Sequence, residues 1–168
     1  MPINTKFSAS TFQQNDGTNF STAGLDFSKK FGSATLSSYA GVGTAFTDGS
    51  TGLVADVKGS VPYGKTPFSG GFRVRNNIND NSQTVQFRVQ PLSFNTPISK
   101  KTSIYATPYV ATKLNYQTSK ATTNFGGFAG VSTKIGKASV FLEGQLYDFS
   151  KINNSTTSIN AGVSIPLD

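Results

Sequence analysis

Along most of this chain apolar and polar residues take turns one by one. Leu53, Ala55, Val57, Gly59 and Val61 alternate with Val54, Asp56, Lys58 and Ser60. Phe68, Gly70, Phe72 and Val74 alternate with Ser69, Gly71, Arg73 and Arg75, and Val85, Phe87 and Val89 with Gln86, Arg88 and Gln90. Successive side chains of a strand point to opposite sides, so a period of two marks strands with one apolar and one polar face. Residues 126–149, GGFAGVSTKIGKASVFLEGQLYDF, hold the plan in one hairpin. Gly127, Ala129, Val131 and Ile135 share a face in its first run, as do Val140, Leu142, Gly144 and Leu146 in its second; Phe128 breaks the alternation. The joining turn, Lys134-Ile135-Gly136-Lys137, uses Gly136 for the positive φ of a tight hairpin.

The same reading over the whole chain predicts about ten strands and no helix: residues 5–12, 20–28, 34–47, 53–61, 68–75, 85–90, 104–116, 124–135, 139–149 and 157–167. Residues 117–123 read as a loop. Pro91, Pro97 and Pro108 interrupt the pattern, and proline is normally confined to edges and bulges of a sheet. The connections sort into two kinds. Every second one is short and bears lysine (Lys29, Lys30, Lys65, Lys100, Lys101, Lys134, Lys137), whereas those between are longer and rich in Asn, Ser, Thr, Gly and Asp. An up-and-down meander places alternate connections at opposite ends, which a Greek-key sandwich has no reason to do. The expected fold is therefore all-β: an antiparallel up-and-down β-barrel forming a single domain over residues 1–168, closed on itself so that no edge is left open.

Composition narrows the chemistry. The 168 residues include no Cys, His or Trp. Without Cys there is no disulfide and no thiolate nucleophile, and without His the commonest general base and metal ligand is missing. The expectation is that the protein is not an enzyme and holds no metal or cofactor. Only 14% of residues are charged, with a net charge of +7, against about a quarter in soluble domains. No apolar run approaches the ~20 residues of a membrane helix. The N-terminal MPINTK has no apolar core of a secretory signal, so the sequence reads as an intracellular protein or as a mature chain behind a start methionine.

The strand charges Asp26, Asp56, Lys58, Arg73, Arg75, Arg88 and Glu143 all fall opposite an apolar set. One wall of the barrel is then apolar and the other polar. In a membrane barrel the apolar wall faces lipid and the polar wall lines the lumen; in a soluble carrier the apolar wall surrounds a ligand. The sorted loops, strand lengths near the ~9–11 residues of a membrane crossing and the poverty of charge favour the membrane. Gln86, Gln90, Ser132, Ser139 and Gln145 suit a polar lumen better than a solvent face. Phe46, Tyr63, Phe68, Tyr116, Phe125, Tyr147 and Phe149, near strand ends, replace the absent tryptophans as interfacial aromatics.

Residues 126–149, followed by INAGVSIPL, and the stretch SSYAGVGTAF from Ser37 to Phe46 resemble the glycine-rich strands of small bacterial outer-membrane β-barrels of the porin-opacity and outer-membrane-protein-A type. The resemblance covers about a third of the chain and implies a bacterial outer-membrane location with a structural, adhesive or narrow-pore role. Many members have eight strands and end in an aromatic residue, whereas this chain predicts ten and ends Pro166-Leu167-Asp168. The alternative is a soluble barrel, cytoplasmic or periplasmic, carrying a hydrophobic molecule.

Two sets of residues are candidates. Asp56, Lys58, Arg73, Arg75, Arg88 and Glu143 are expected to form a charge network across the lumen, serving as a gate or anion-selective constriction or merely filling the interior. Phe72, Val74, Phe87, Val89, Leu142 and Leu146 are expected to face lipid or, in the carrier, ligand. The expected partners are membrane lipids or detergent, with anionic head groups at the lysine-bearing turns. Nucleic acid is not expected, because the basic residues are dispersed without interleaved aromatics. The Asn-rich loops 76–81 and 153–156 are recognition surfaces if extracellular.

Overall fold

A computed structural model of the chain describes residues 2–45, 49–63, 66–77, 83–150 and 156–167. Phe46, Lys65, most of the Asn-rich loop 76–81 and residues 153–155 lie outside the described residues, as do the side chains of Tyr63 and Arg75. Eleven strands follow one another: β1 (Asn4–Gln14), β2 (Asn19–Phe31), β3 (Ala34–Thr44), β4 (Thr51–Tyr63), β5 (Thr66–Asn77), β6 (Gln83–Gln90), β7 (Phe94–Pro97), β8 (Thr102–Asn115), β9 (Lys120–Ile135), β10 (Ala138–Leu146) and β11 (Thr157–Pro166). Each pairs antiparallel with its neighbours in sequence from β1 to β6 and from β7 to β11. β1 pairs with β11, and β6 closes the ring by pairing with β8. The result is a closed antiparallel barrel of ten staves, β6 and β7 sharing one.

That shared stave is where the prolines lie. Val89 pairs with Val110, but Phe94 pairs with Ala106, so β6–β7 spends one residue more than β8 over the same distance. This is a bulge of one residue. It falls at Pro91, and opposite it residues 107–109, including Pro108, lack a ladder partner on that side. A residue without a donor is tolerated where the ladder is already broken. The short β7 was not expected from the sequence, since Pro91 and Pro97 remove the alternation there.

Most strands outrun the predicted limits by one to three residues. The largest difference is β9, which starts at Lys120 rather than after a loop 117–123. Its first residues Thr122 and Thr123 pair with Lys113 and Thr112, and the Thr112 and Thr123 hydroxyls bond at 2.9 Å. Polar β-branched residues fit a strand without showing an apolar face. Turns 32–33 and 136–137 are two residues long, with Gly32 at φ 60° and Gly136 at 62° in first position. This is the type II′ arrangement, whose twist matches that of the flanking strands. Both lie with the chain termini at the short-turn end. The connections at the other end, such as 45–50 and 147–156, are longer.

The barrel has no apolar core. Only Phe20, Val54, Tyr109 and Ala111 are buried apolar side chains among the described residues, whereas Leu25, Leu36, Val42, Leu53, Val57, Phe68 and many like them stand exposed on the outer wall. In a water-soluble domain these residues would be inside.

Candidate functional site

The apolar wall is outside. Phe72 is 56% exposed and Leu142 52%, and Val74 and Phe87 are exposed beside them. Val89 and Leu146, half-buried, fall in phase with these on the same face. The six residues therefore do not surround a cavity, and the hydrophobic-carrier arrangement, with arginines in solvent, is inverted. Paired strands turn every second residue to one side, so these six share one face, and it is the opposite, polar set that lines the interior.

Inside is a polar cavity of about 720 Å³, whose walls include residues of every strand but β7. A second, of about 260 Å³, lies toward the short-turn end against β2 to β6. The two share Asp26, Tyr39, Asp56, Arg73, Gln86 and Arg88. Five of these are one cross-strand row: Asp26 pairs with Tyr39, Tyr39 with Asp56, Asp56 with Arg73 and Arg73 with Gln86. The row continues to Lys113 on β8. The cavities thus meet at a belt of charged and aromatic side chains running around the wall.

Of the predicted charge set, Asp56 and Arg73 come together. Arg73 donates to Asp56 through Nε and Nη2, both at 2.7 Å, a bidentate pair. The Arg73 side chain still has 46% of its surface accessible, so the lumen beside it is open rather than packed. Arg88 lies with its guanidinium 4.2 Å from the Tyr109 ring centre and reaches Gln86 Oε1 only at 3.5 Å. Its Nε is buried without a hydrogen-bond partner among the described residues. Lys58 lines the smaller cavity and has no ion-pair partner among the described residues. Glu143 stands apart from these, across the larger cavity, where it accepts a hydrogen bond from Tyr105 Oη at 3.1 Å. Arg75 pairs in register with Val54 and Thr84.

The sequence placed Asp26 and Gln145 on the polar wall but did not give their partners, nor the inward place of Gln14, Tyr105, Tyr109 and Tyr147. Asp26 accepts a hydrogen bond from Ser8 Oγ. Gln145 Nε2 donates to Tyr109 Oη at 2.6 Å, and Gln14 Nε2 to Tyr147 Oη at 3.2 Å. Tyr105 and Tyr109 each lie 6.3 Å from the Phe128 ring, so Phe128, the residue that breaks the alternation, fills the space between two inward tyrosines. Three of the large inner rings have a glycine beside them across the strand pair: Tyr105 opposite Gly130, Tyr109 opposite Gly126 and Phe141 opposite Gly162. A Cβ on Gly130 would stand 2.8 Å from Tyr105 Oη, and one on Gly126 2.8 Å from Tyr109 Oη. The glycines make room for the rings; the signal was present as glycine-rich strands, but not which ring each served.

No protein-family model matches the chain, and no curated protein matches it. Solved structures do. The translocator domain of the autotransporter NalP from Neisseria meningitidis aligns over 98% of this chain and 88% of its own, with a TM-score of 0.55 and 10% identity. A de novo designed transmembrane β-barrel aligns over 99% and 98%, with a TM-score of 0.47 and 11% identity. OmpT, an outer-membrane protein of Vibrio cholerae, aligns over 95% of this chain at a TM-score of 0.41 and 14% identity, and the chain spans 64% of its length. At such identities the likeness is one of fold, and it is a likeness to β-barrels of the membrane-spanning kind.

Proposed function

We propose that the chain spans a bacterial outer membrane as a β-barrel and that its lumen is a narrow aqueous passage. The observation that carries this reading is the inversion of the two walls. Apolar side chains cover the outside, while a polar, charge-lined cavity of about 720 Å³ runs within. A bilayer satisfies the first and water the second; the ladders close into a ring, which pairs the strand backbones as lipid requires except at the bulge opposite residues 107–109. Strands of 11 to 16 residues, such as β1, β2 and β9, are long enough for a tilted crossing. The short turns fit the periplasmic side and the longer loops the outside, as in other barrels of this kind. A narrower kinship, to the porin-opacity and outer-membrane-protein-A type, has the support of the glycine-rich segments, though the ten staves exceed the eight of many members.

The test has two stages. Folding into detergent from an insoluble state, with gel mobility that shifts on heating, is expected; a monodisperse monomer in plain buffer contradicts the membrane reading. Discrete conductance steps in a planar bilayer are then expected. Verified insertion without channel events contradicts the passage and leaves adhesion or scaffolding through the loops.

A further inference from the structure

The smaller cavity is lined by Asp26, Asp56 and Arg73 and by two further cations, Lys58 and Arg88, that make no ion pair among the described residues. Lys58 on β4 pairs in register with Gly71 on β5, and Gly71 with Arg88 on β6, so the three form one cross-strand row. Two interstrand spacings of about 4.8 Å separate the Lys58 and Arg88 backbones, and the residue between them has no side chain. The next residues of the row, Ser37 and Ala111, carry no charge. The acid nearest in the adjoining row, Asp56, is engaged bidentately by Arg73. Glu143, in the larger cavity, is held by Tyr105. Arg88, with five donors to place, makes one long contact and is held flat against Tyr109. An unpaired charge in a confined site is costly, and the missing partner for this pair is an anion.

We propose that Lys58 and Arg88 form a binding site for a small oxyanion, of the sulfate, phosphate or carboxylate class, in the smaller cavity that they line together with Gly71. The cavity of about 260 Å³ holds such an ion together with several waters, each water needing about 30 Å³. Gln90 on the same lining, whose Oε1 accepts from Ser69 Oγ, supplies a neutral amide donor. The site opens on the short-turn end, where Lys29, Lys30, Lys100, Lys101, Lys134 and Lys137 crowd connections without a described acid. Such a field raises the local concentration of anions and steers them inward. The site deepens the aqueous-passage reading and rests on it to the extent that an ion must reach the lumen, but occupancy does not require conduction.

The experiment titrates sodium sulfate, at constant ionic strength against sodium chloride, into the full chain folded in neutral detergent, following backbone amide shifts by NMR. Saturable shifts centred on residues 58, 71 and 88 are expected. Lys58→Gln and Arg88→Gln should each weaken binding about tenfold or more, since a charge-assisted contact is lost; Arg88→Lys should recover part of the loss, and Lys120→Gln at the far end should leave affinity unchanged. Retained heat-shifted mobility establishes that each variant is folded. Linear, non-saturating shifts in the wild type, or wild-type affinity in the two glutamine variants, overturn the site. Sulfate binding without any conductance in bilayers keeps the site and contradicts only the passage.

Discussion

The two halves of the lumen wall solve the same problem in opposite ways. Across β8, β9 and β10 the interior is filled by Tyr105, Tyr109 and Phe128, whose polar ends are met by Glu143 and Gln145 and whose rings lie over Gly126 and Gly130. Across β4, β5 and β6 it is left open, lined by Asp56, Lys58, Arg73 and Arg88 around two cavities. The packed wall is stabilised by ring-on-glycine fit and by satisfied hydroxyls. The open wall carries one ion pair. A barrel of ten staves is too wide for side chains from all sides to meet, so the rings on β8 and β9 narrow the interior from one side, and the larger cavity still reaches every strand but β7.

The difference concerns the inner faces alone. Outer faces are equally apolar, so arginine should be equally unwelcome on either: Leu142→Arg on β10 and Val57→Arg on β4 are each expected to lose about 2–4 kcal/mol, the cost of a cation at mid-bilayer. Urea titrations of folding into lipid vesicles measure this, and a much smaller loss at Val57 would mean that the open half does not face lipid. Next in size, Gly130→Val on the packed wall should cost about 1–3 kcal/mol through collision with Tyr105 and the Leu142 carbonyl. Gly59→Val on the outer face of β4, where a Cβ meets nothing within 4 Å, should be close to neutral. The same titration checks both; similar costs at the two sites would mean that the loss at Gly130 does not come from its collision inside the barrel.

Smaller effects separate charge from packing. Arg73→Gln breaks the bidentate pair but in an open lumen, where water screens the loss, so about 1 kcal/mol of stability is expected. Its larger consequence should be in ion preference. Leaving Asp56 uncompensated shifts the reversal potential in a KCl gradient toward cations, and Asp56→Asn shifts it toward anions. Of similar size, Tyr105→Phe removes one hydrogen bond to Glu143 and should cost about 0.5–1.5 kcal/mol while leaving ion preference unchanged.

How far the sequence disclosed this follows from what alternation encodes. A period of two assigns faces within a strand, and sorted connections assign ends, so the barrel, its stave number and the phase of Asp56, Lys58, Arg73 and Glu143 were readable. Contacts between strands were not. That Lys58 and Arg88 flank Gly71, or that Tyr109 stands opposite Gly126, depends on the register of β4–β5–β6 and β8–β9, which no single strand records. The bulge at Pro91 shifts the register of β6–β7 against β8 by one residue while erasing the local pattern. Which wall lies outside was likewise ambiguous, because alternation is unchanged by turning the barrel inside out.

The absence of cysteine from the natural chain makes the central claim directly measurable. Single cysteines at the adjacent positions Leu142→Cys and Glu143→Cys, in protein folded into lipid vesicles, can be compared by fluorophore labelling and quenching. Position 142 should be quenched by nitroxides carried on the lipid chains and not by aqueous iodide, and position 143 should show the reverse. Aqueous quenching at 142 with lipid quenching at 143, or no difference between the two, would contradict an apolar outer wall enclosing a water-filled lumen.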